Sequence, residues 1–153
     1  MSSDLIKIGV IADTHNHLPS SVPQALSAMD EIWHLGDVCD SSTLDPLIAL
    51  GKPLKIVRGN NDFEFDWPLT LDLKRGGVNF RLVHIPPTSM PDVPNLVVLH
   101  GHTHVPRNEM VRGVRYLNPG SVGRANKGAP ASFAYLDVLN GEIKRWELFR
   151  VCA

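Results

Sequence analysis

The 153-residue chain is poor in cysteine, in charge of either sign in excess, and in long apolar runs. Each shortage removes a class of protein. Its two cysteines, Cys39 and Cys152, cannot build a disulfide framework, and both are expected as free thiols of a reducing compartment. Cysteines recruited for zinc usually come in closely spaced pairs, so Cys39, standing alone, is not an expected ligand. Cys152, next to the end, reads as packed or simply exposed. Fifteen Lys and Arg against sixteen Asp and Glu give a net charge of −1, which leaves neither a basic footprint for nucleic acid nor an acidic tail. No run reaches the ~18 apolar residues of a membrane span, and the N-terminus shows no apolar segment with a basic flank. The expected location is the cytoplasm, with no membrane partner. There are no repeats, linkers or low-complexity stretches. Hydrophobic residues make up 43% of a chain long enough to bury about 70% of its surface, so one domain spanning 1–153 is expected.

What the chain does have is histidine in one place. Three of its seven histidines, His100, His102 and His104, fall at alternate positions directly after the apolar run Leu96–Leu99. In an extended backbone, residues two apart point to the same side, so these imidazoles are expected to converge. Neutral imidazole is the commonest protein metal ligand, which makes a metal site the sharp reading. A polar loop after a core strand accounts for this stretch equally well when it is taken alone.

The rest of the chain breaks the tie. Ile6–Ala12 is a β-branched run too short for a helix and reads as a buried strand ending at Asp13-Thr14-His15. A short helix is expected over Val22–Met29, then a strand over Glu31–Leu35 that stops at Gly36-Asp37, with His34 inside it as a buried histidine. Ser41–Leu50 carries the capping residues and spacing of a second helix, and Pro53–Val57 is a third strand ending at Arg58-Gly59-Asn60-Asn61-Asp62. Strands alternating with helices argue for a parallel half, whose ligands gather at the carboxyl ends of the strands. Antiparallel strands are expected thereafter: Leu69–Leu73 with Val78–Val83, which lands on His84, then Asn95–Leu99, Glu109–Arg112 with Val114–Leu117, and Ala131–Leu139 with Glu142–Phe149 around Asn140-Gly141.

Five apolar runs therefore end at metal-competent residues: Asp13 with His15, Asp37, Asn60, His84, and His102 with His104. The set holds carboxylate, imidazole and amide oxygen but no thiolate, which suits Mn²⁺, Fe, Zn²⁺ or Co²⁺ better than a structural zinc cage or a calcium loop. Seven ligands are too many for one tetrahedral ion. Two divalent ions sharing a bridging carboxylate, about 3.5–4 Å apart, are the natural solution and the arrangement used for displacement at phosphorus.

Those motifs, Asp13-Thr14-His15, Gly36-Asp37-Val38-Cys39-Asp40, Gly59-Asn60-Asn61-Asp62, His84 and Gly101-His102-Thr103-His104, resemble in order the signature of the calcineurin-like metallophosphoesterases. The short length and the segment Asn118-Pro119-Gly120-Ser121-Val122 look most like the small bacterial and archaeal phosphodiesterase branch. The resemblance implies an α/β fold of four layers, α-β-β-α, with two mixed β-sheets face to face and flanking helices. It implies that Asp13, His15, Asp37 and His104 hold one ion and that Asp37, Asn60, His84 and His102 hold the other, with Asp37 bridging. Manganese is the expected metal, with Ni, Co, Fe and Zn as alternatives. The implied reaction is in-line attack of a metal-bridging hydroxide on a small phosphodiester or phosphomonoester.

One position departs from the pattern. The family's fuller motif is Gly-Asn-His-Asp, whose histidine serves the leaving group, and this chain has Asn61 there. Asparagine hydrogen-bonds but cannot act as an acid. The reaction then favours leaving groups that depart unprotonated, or uses a substitute acid, for which His17 is the nearest candidate and His100 another. Asp62, without its usual partner, is expected merely to cap its turn. The expected catalytic set is Asp37, Asn60 and His17, and the expected substrate contacts are Asn60, Asn61 and Arg58. Arg107 and Arg124 are further phosphate-contacting candidates. The proline-rich loop between His84 and Asn95 suggests an open site for a small or promiscuous substrate. A scaffold on the same fold is the competing reading, because a retromer subunit resembles this family with an eroded site. Oligomeric state stays open, a homodimer included.

Overall fold

The computed structural model describes residues 4–63, 65–89, 93–125 and 128–151, so Cys152 lies outside the described residues. In chain order the elements are β1 (Ile6–Ile11), α1 (Ser21–Leu26), β2 (Glu31–His34), a 3-10 turn over Ser41–Leu44 that runs into α2 (Asp45–Ile48), and β3 (Leu54–Ile56). Then follow β4 (Thr70–Arg75), β5 (Val78–Val83), β6 (Val97–Leu99), β7 (Arg107–Val111), β8 (Val114–Asn118), β9 (Ser132–Leu139) and β10 (Glu142–Arg150).

Both helices are shorter than their apolar spacing suggests, for local reasons. The Asp40 carboxylate accepts from Ser42 N–H at 3.0 Å, and Pro46, early in α2, has no N–H to donate, so the first turn closes as 3-10. At the end of α1, Met29 N–H bonds Leu26 C=O at 3.0 Å and Asp30 N–H bonds Lys7 C=O at 2.8 Å, which pulls the chain out of the helix toward β2.

The strands form two five-stranded mixed sheets, ordered β10-β9-β1-β2-β3 and β4-β5-β6-β8-β7. β1, β2 and β3 are mutually parallel, with Ile8 opposite Glu31 and Ile32 opposite Leu54. The expectation of purely antiparallel strands in the second half does not hold. β5 is parallel to β6 and β6 to β8, while only the edge strands β4 and β7 pair antiparallel. The passage from 84 to 96 carries the chain back beside β5 with no helix among its described residues, and the β7–β8 hairpin puts β7 on the edge.

Strand alternation explains the layers. Ile8, Val10 and Ala12 of the first sheet meet Phe80, Leu82, Leu99 and Leu117 of the second in one buried cluster, with Trp33 edge-on to Phe80 at 5.1 Å between ring centres. The opposite face of the first sheet, Ile11 and Ile32, packs on Val22 and Leu26 of α1 and on Leu44 and Leu47. A third cluster, Val83, Leu96, Val98, Val114 and Tyr116, backs the second sheet. The architecture is the mixed α/β sandwich of two mixed sheets, and the described helices all sit in the crossovers of the first sheet. Among the described residues, no helix is long and apolar enough to cross a membrane.

Candidate metal centre

Every candidate ligand follows the carboxyl end of a strand that has a parallel neighbour: Asp13 and His15 after β1, Asp37 after β2, Asn60 after β3, His84 after β5, and His102 and His104 after β6. The loops after β1 and β2 are zipped together by Asp13 N–H to Gly36 C=O and His15 N–H to Asp37 C=O, each at 3.0 Å. Gly101 N–H bonds His84 C=O at 3.1 Å, and His102 N–H bonds Asp13 Oδ2 at 3.2 Å, so the second sheet's loops are tied to the first's.

The backbone at this edge is unusual. Asp13 (φ 58°), His15 (45°), Asp37 (62°), His102 (72°) and His104 (64°) are all left-handed, a region that non-glycine residues seldom occupy. Such strain persists where surrounding bonds over-determine it, and it gathers at functional sites. It also corrects the reason given for the alternate histidines. They are not a strand continuation with side chains on one face; two left-handed residues turn His102 and His104 inward.

Five side chains converge. Asp13 Oδ1 lies 3.6 Å from His15 Nε2, 3.4 Å from His104 Nε2 and 3.8 Å from His84 Nε2. Asp37 Oδ2 lies 3.4 Å from His15 Nε2 and 3.3 Å from His84 Nε2, and the Nε2 atoms of His15 and His104 are 3.3 Å apart. Ligands about 2.1 Å from a tetrahedral ion stand about 3.4 Å from one another, so these separations are of the size that a shared ion requires. Two tight groups emerge, Asp13 with His15 and His104, and Asp13 with Asp37 and His84. Asn60 and His102 adjoin the second, with Asn60 Oδ1 3.1 Å from His102 Nδ1 and the His102 ring 5.2 Å from that of His84.

The bonding pattern tests whether cations fit. His84 Nδ1 donates to Leu35 C=O at 2.8 Å, which leaves the Nε2 lone pair aimed at two carboxylates. Asp13 Oδ1 and His84 Nε2 are buried without a hydrogen-bond partner. A lone pair facing two carboxylate oxygens is stable only with a proton or a cation between them. A histidine fixed through its other nitrogen is how proteins hold imidazole ligands. The residues fit divalent metal.

Around the cluster lies a set of supports that the sequence concealed. Asp62 is far more than a turn cap. Its Oδ2 accepts from Asp37 N–H at 2.9 Å and Gly59 N–H at 2.8 Å, and its Oδ1 from Cys39 N–H at 2.8 Å, so one buried carboxylate fixes both loops. Asn61 turns onto Asp37, giving its backbone N–H to Oδ1 at 2.9 Å and its amide to Oδ2 at 3.0 Å. Burial alone would raise the Asp37 carboxyl, but His84 and the two Asn61 bonds outweigh it and hold it far below the usual carboxylate range. Gly59 is required by closeness, because a Cβ there would overlap the Asp37 backbone N and Oδ1. His34 is fully buried; its Nδ1 accepts from Gly36 N–H at 3.0 Å and its Nε2 faces Thr14 Oγ1 at 3.2 Å. Burial lowers its pKa to about 4, so it works as a neutral brace between the β1 and β2 loops. Asn118 donates to Gly101 C=O and Thr103 Oγ1, and Ser121 Oγ to Asp13 C=O, which gives the Asn118–Ser121 turn a bracing role.

Other expected residues lie apart. His17 is exposed. His100 is buried beside it with both nitrogens engaged, Nδ1 on Gly101 C=O and Nε2 on Arg107. Cys39 Sγ approaches His15 Nδ1 at 3.7 Å, behind the ring rather than inside the cluster. Arg107 lies over the Tyr116 ring and pairs with Glu109. Arg58 lines a cavity next to Asn60 and His84.

Two stacked mixed sheets with carboxylates and imidazoles gathered where parallel strands end define a metallophosphoesterase. The chain belongs to the calcineurin-like phosphoesterase superfamily, whose domain model matches residues 6–141. It is 34% identical over 130 residues to a probable metallophosphoesterase of Methanocaldococcus jannaschii, covering 74% of this chain and 67% of that protein. It is 27% identical over 162 residues to the phosphodiesterase YfcE of Escherichia coli, covering 87% and 88%. The solved Vps29 of Entamoeba histolytica, in complex with Zn²⁺, shares the fold with a TM-score of 0.75, at 23% identity over 95% of this chain and 98% of that one.

Proposed function

We propose that this chain is a phosphodiesterase that uses two divalent ions, with manganese the preferred metal. Asp13, His15, Asp37 and His104 would hold one ion; Asp37, Asn60, His84 and His102 would hold the other. The observation that carries this reading is the pair of buried, partnerless atoms, Asp13 Oδ1 and His84 Nε2, facing one another among further carboxylate and imidazole ligands. When bound, the ions would supply an activated water at neutral pH and neutralise phosphate charge. The chain's own part is orientation. Asn61 and Asp62 lock Asp37, Asn60 sits on the exposed side beside His102, and Arg58 contributes positive charge next to both. The substrate is a small phosphodiester.

The test is hydrolysis of bis(4-nitrophenyl) phosphate with Mn²⁺ by wild type, Asp37→Asn and His102→Ala, alongside a metal count per chain. Two ions per chain and strong loss in both variants support the reading. Unchanged activity in both variants removes it. Absence of hydrolysis with Mn²⁺, Ni²⁺, Co²⁺ and Zn²⁺ favours a scaffold, the alternative that the fold likeness to Vps29 keeps in view.

A further inference from the structure

Beside the metal cluster is a cavity of about 270 Å³ lined by Arg58, Asn60, Leu69, Thr70, Val83 and His84, with Ile85 at its side. The fold assembles it from three places. Arg58 N–H bonds Pro68 C=O at 2.8 Å, which brings the loop after β3 to the chain entering β4. Thr70 pairs with Val83 in the antiparallel register of β4 and β5, so Leu69, just before β4, and His84, just after β5, lie beyond the same end of the ladder. Leu69 is 60% exposed and Ile85 54%, so the cavity presents two large aliphatic side chains to solvent next to a polar centre. Arg58 has no carboxylate partner among the described residues, whereas Arg75, Arg81 and Arg145 are all paired.

We infer that this cavity is the subsite for the organic group of the ester, and that the group is a flat aryl or heteroaryl carrying an anionic or acceptor substituent. The aliphatic walls Leu69, Val83 and Ile85 suit a ring face. Arg58 suits the substituent, since guanidinium binds planar acceptors through paired N–H bonds. Asn60 and His84 belong at once to the cavity and to the candidate ligand set, so a phosphate at the centre places its ester group here. A simple alkyl ester would leave both the walls and Arg58 unused. This inference rests on the phosphoesterase reading above.

The test is calorimetric binding of methylphosphonate, phenylphosphonate and 4-carboxyphenylphosphonate, which cannot be hydrolysed, to the Mn²⁺-loaded protein. Covering about 55 Å² of ring corresponds to about tenfold tighter binding of phenyl than of methyl. In the double variant Leu69→Ser/Ile85→Ser that ratio should fall toward one; both side chains are exposed, so the core is untouched. In Arg58→Ala the further advantage of the carboxyphenyl ligand over phenyl should disappear. Binding of all three without discrimination, or a ratio equal in wild type and the double variant, overturns the subsite and leaves the phosphoesterase reading standing. Failure of every phosphonate to bind overturns both.

Discussion

Replacing Asp62 is the sharpest perturbation of the bracing around the centre. Its carboxylate is buried and holds three backbone N–H groups, those of Asp37, Gly59 and Cys39, at 2.8–2.9 Å. Asp62→Ala leaves all three donors without a partner in a place water does not reach freely. Each orphaned donor costs about 1–3 kcal/mol, and partial relaxation of two loops brings the sum to about 3–5 kcal/mol. That is a large fraction of the roughly 5–15 kcal/mol that stabilises a domain. Asp62→Asn is the discriminating partner. Its oxygen can still accept from Asp37 and Gly59, but its amide nitrogen then meets the Cys39 N–H, donor against donor. It should cost about 2 kcal/mol, less than alanine. Urea unfolding of chelator-treated protein measures both, and hydrolysis of the aryl diester measures the displacement of Asp37, for which a loss of about 100-fold corresponds to roughly 1 Å. An alanine variant within about 0.5 kcal/mol of wild type, or an asparagine variant less stable than alanine, would refute the reasoning.

His34 gives a pH signature: unfolded it takes a proton near 6.5, folded only near 4, so stability is full above the first value and falls as pH drops from 6.5 to 4, by roughly 3 kcal/mol. Chemical denaturation of metal-free protein across that window should show a shallower pH dependence in His34→Gln than in wild type, and parallel curves would contradict it. Gly59→Ala forces a methyl onto Asp37 and should cost about 1–3 kcal/mol with loss of hydrolysis, read by melting and turnover. Mn²⁺ at about 100 times its Kd should stabilise wild type by about 2.7 kcal/mol, and Asp37→Asn by much less, in a thermal scan.

Much of this was legible in the sequence because the parallel strands announce themselves. Ile8–Ile11 and Val97–Leu99 are buried on both faces, so they appear as unbroken apolar runs, and the polar residue that soon follows each run marks a site loop. The parallel pairing of β5, β6 and β8 was not legible, because no helix separates those strands among the described residues and spacing alone resembles a meander. Convergence of His102 and His104 was legible as a fact but not in its cause, since left-handed residues leave no periodicity to read. In the sequence Asp62 looks like a turn cap and His34 like a core residue. Their partners are backbone N–H groups, which have no sequence signature, and only the fold brings those of residues 36, 37, 39 and 59 to these two side chains.

The asparagine at position 61 ties the centre to the cavity beside it. Its backbone N–H and its side-chain amide both turn onto Asp37, so it steadies a carboxylate, and an amide is no acid. His34 and His100 are buried with their ring nitrogens engaged, and His17 is exposed to solvent. The remaining imidazoles, His15, His84, His102 and His104, are all in the proposed ligand set. On the proposed reaction, nothing in this arrangement protonates a departing alkoxide, so the leaving group has to carry its own charge away. An aryl oxide, stabilised by its ring, does that where an alkoxide does not. The chemistry that Asn61 removes and the aryl subsite proposed at the cavity of Arg58, Leu69 and Ile85 therefore point to the same kind of ester.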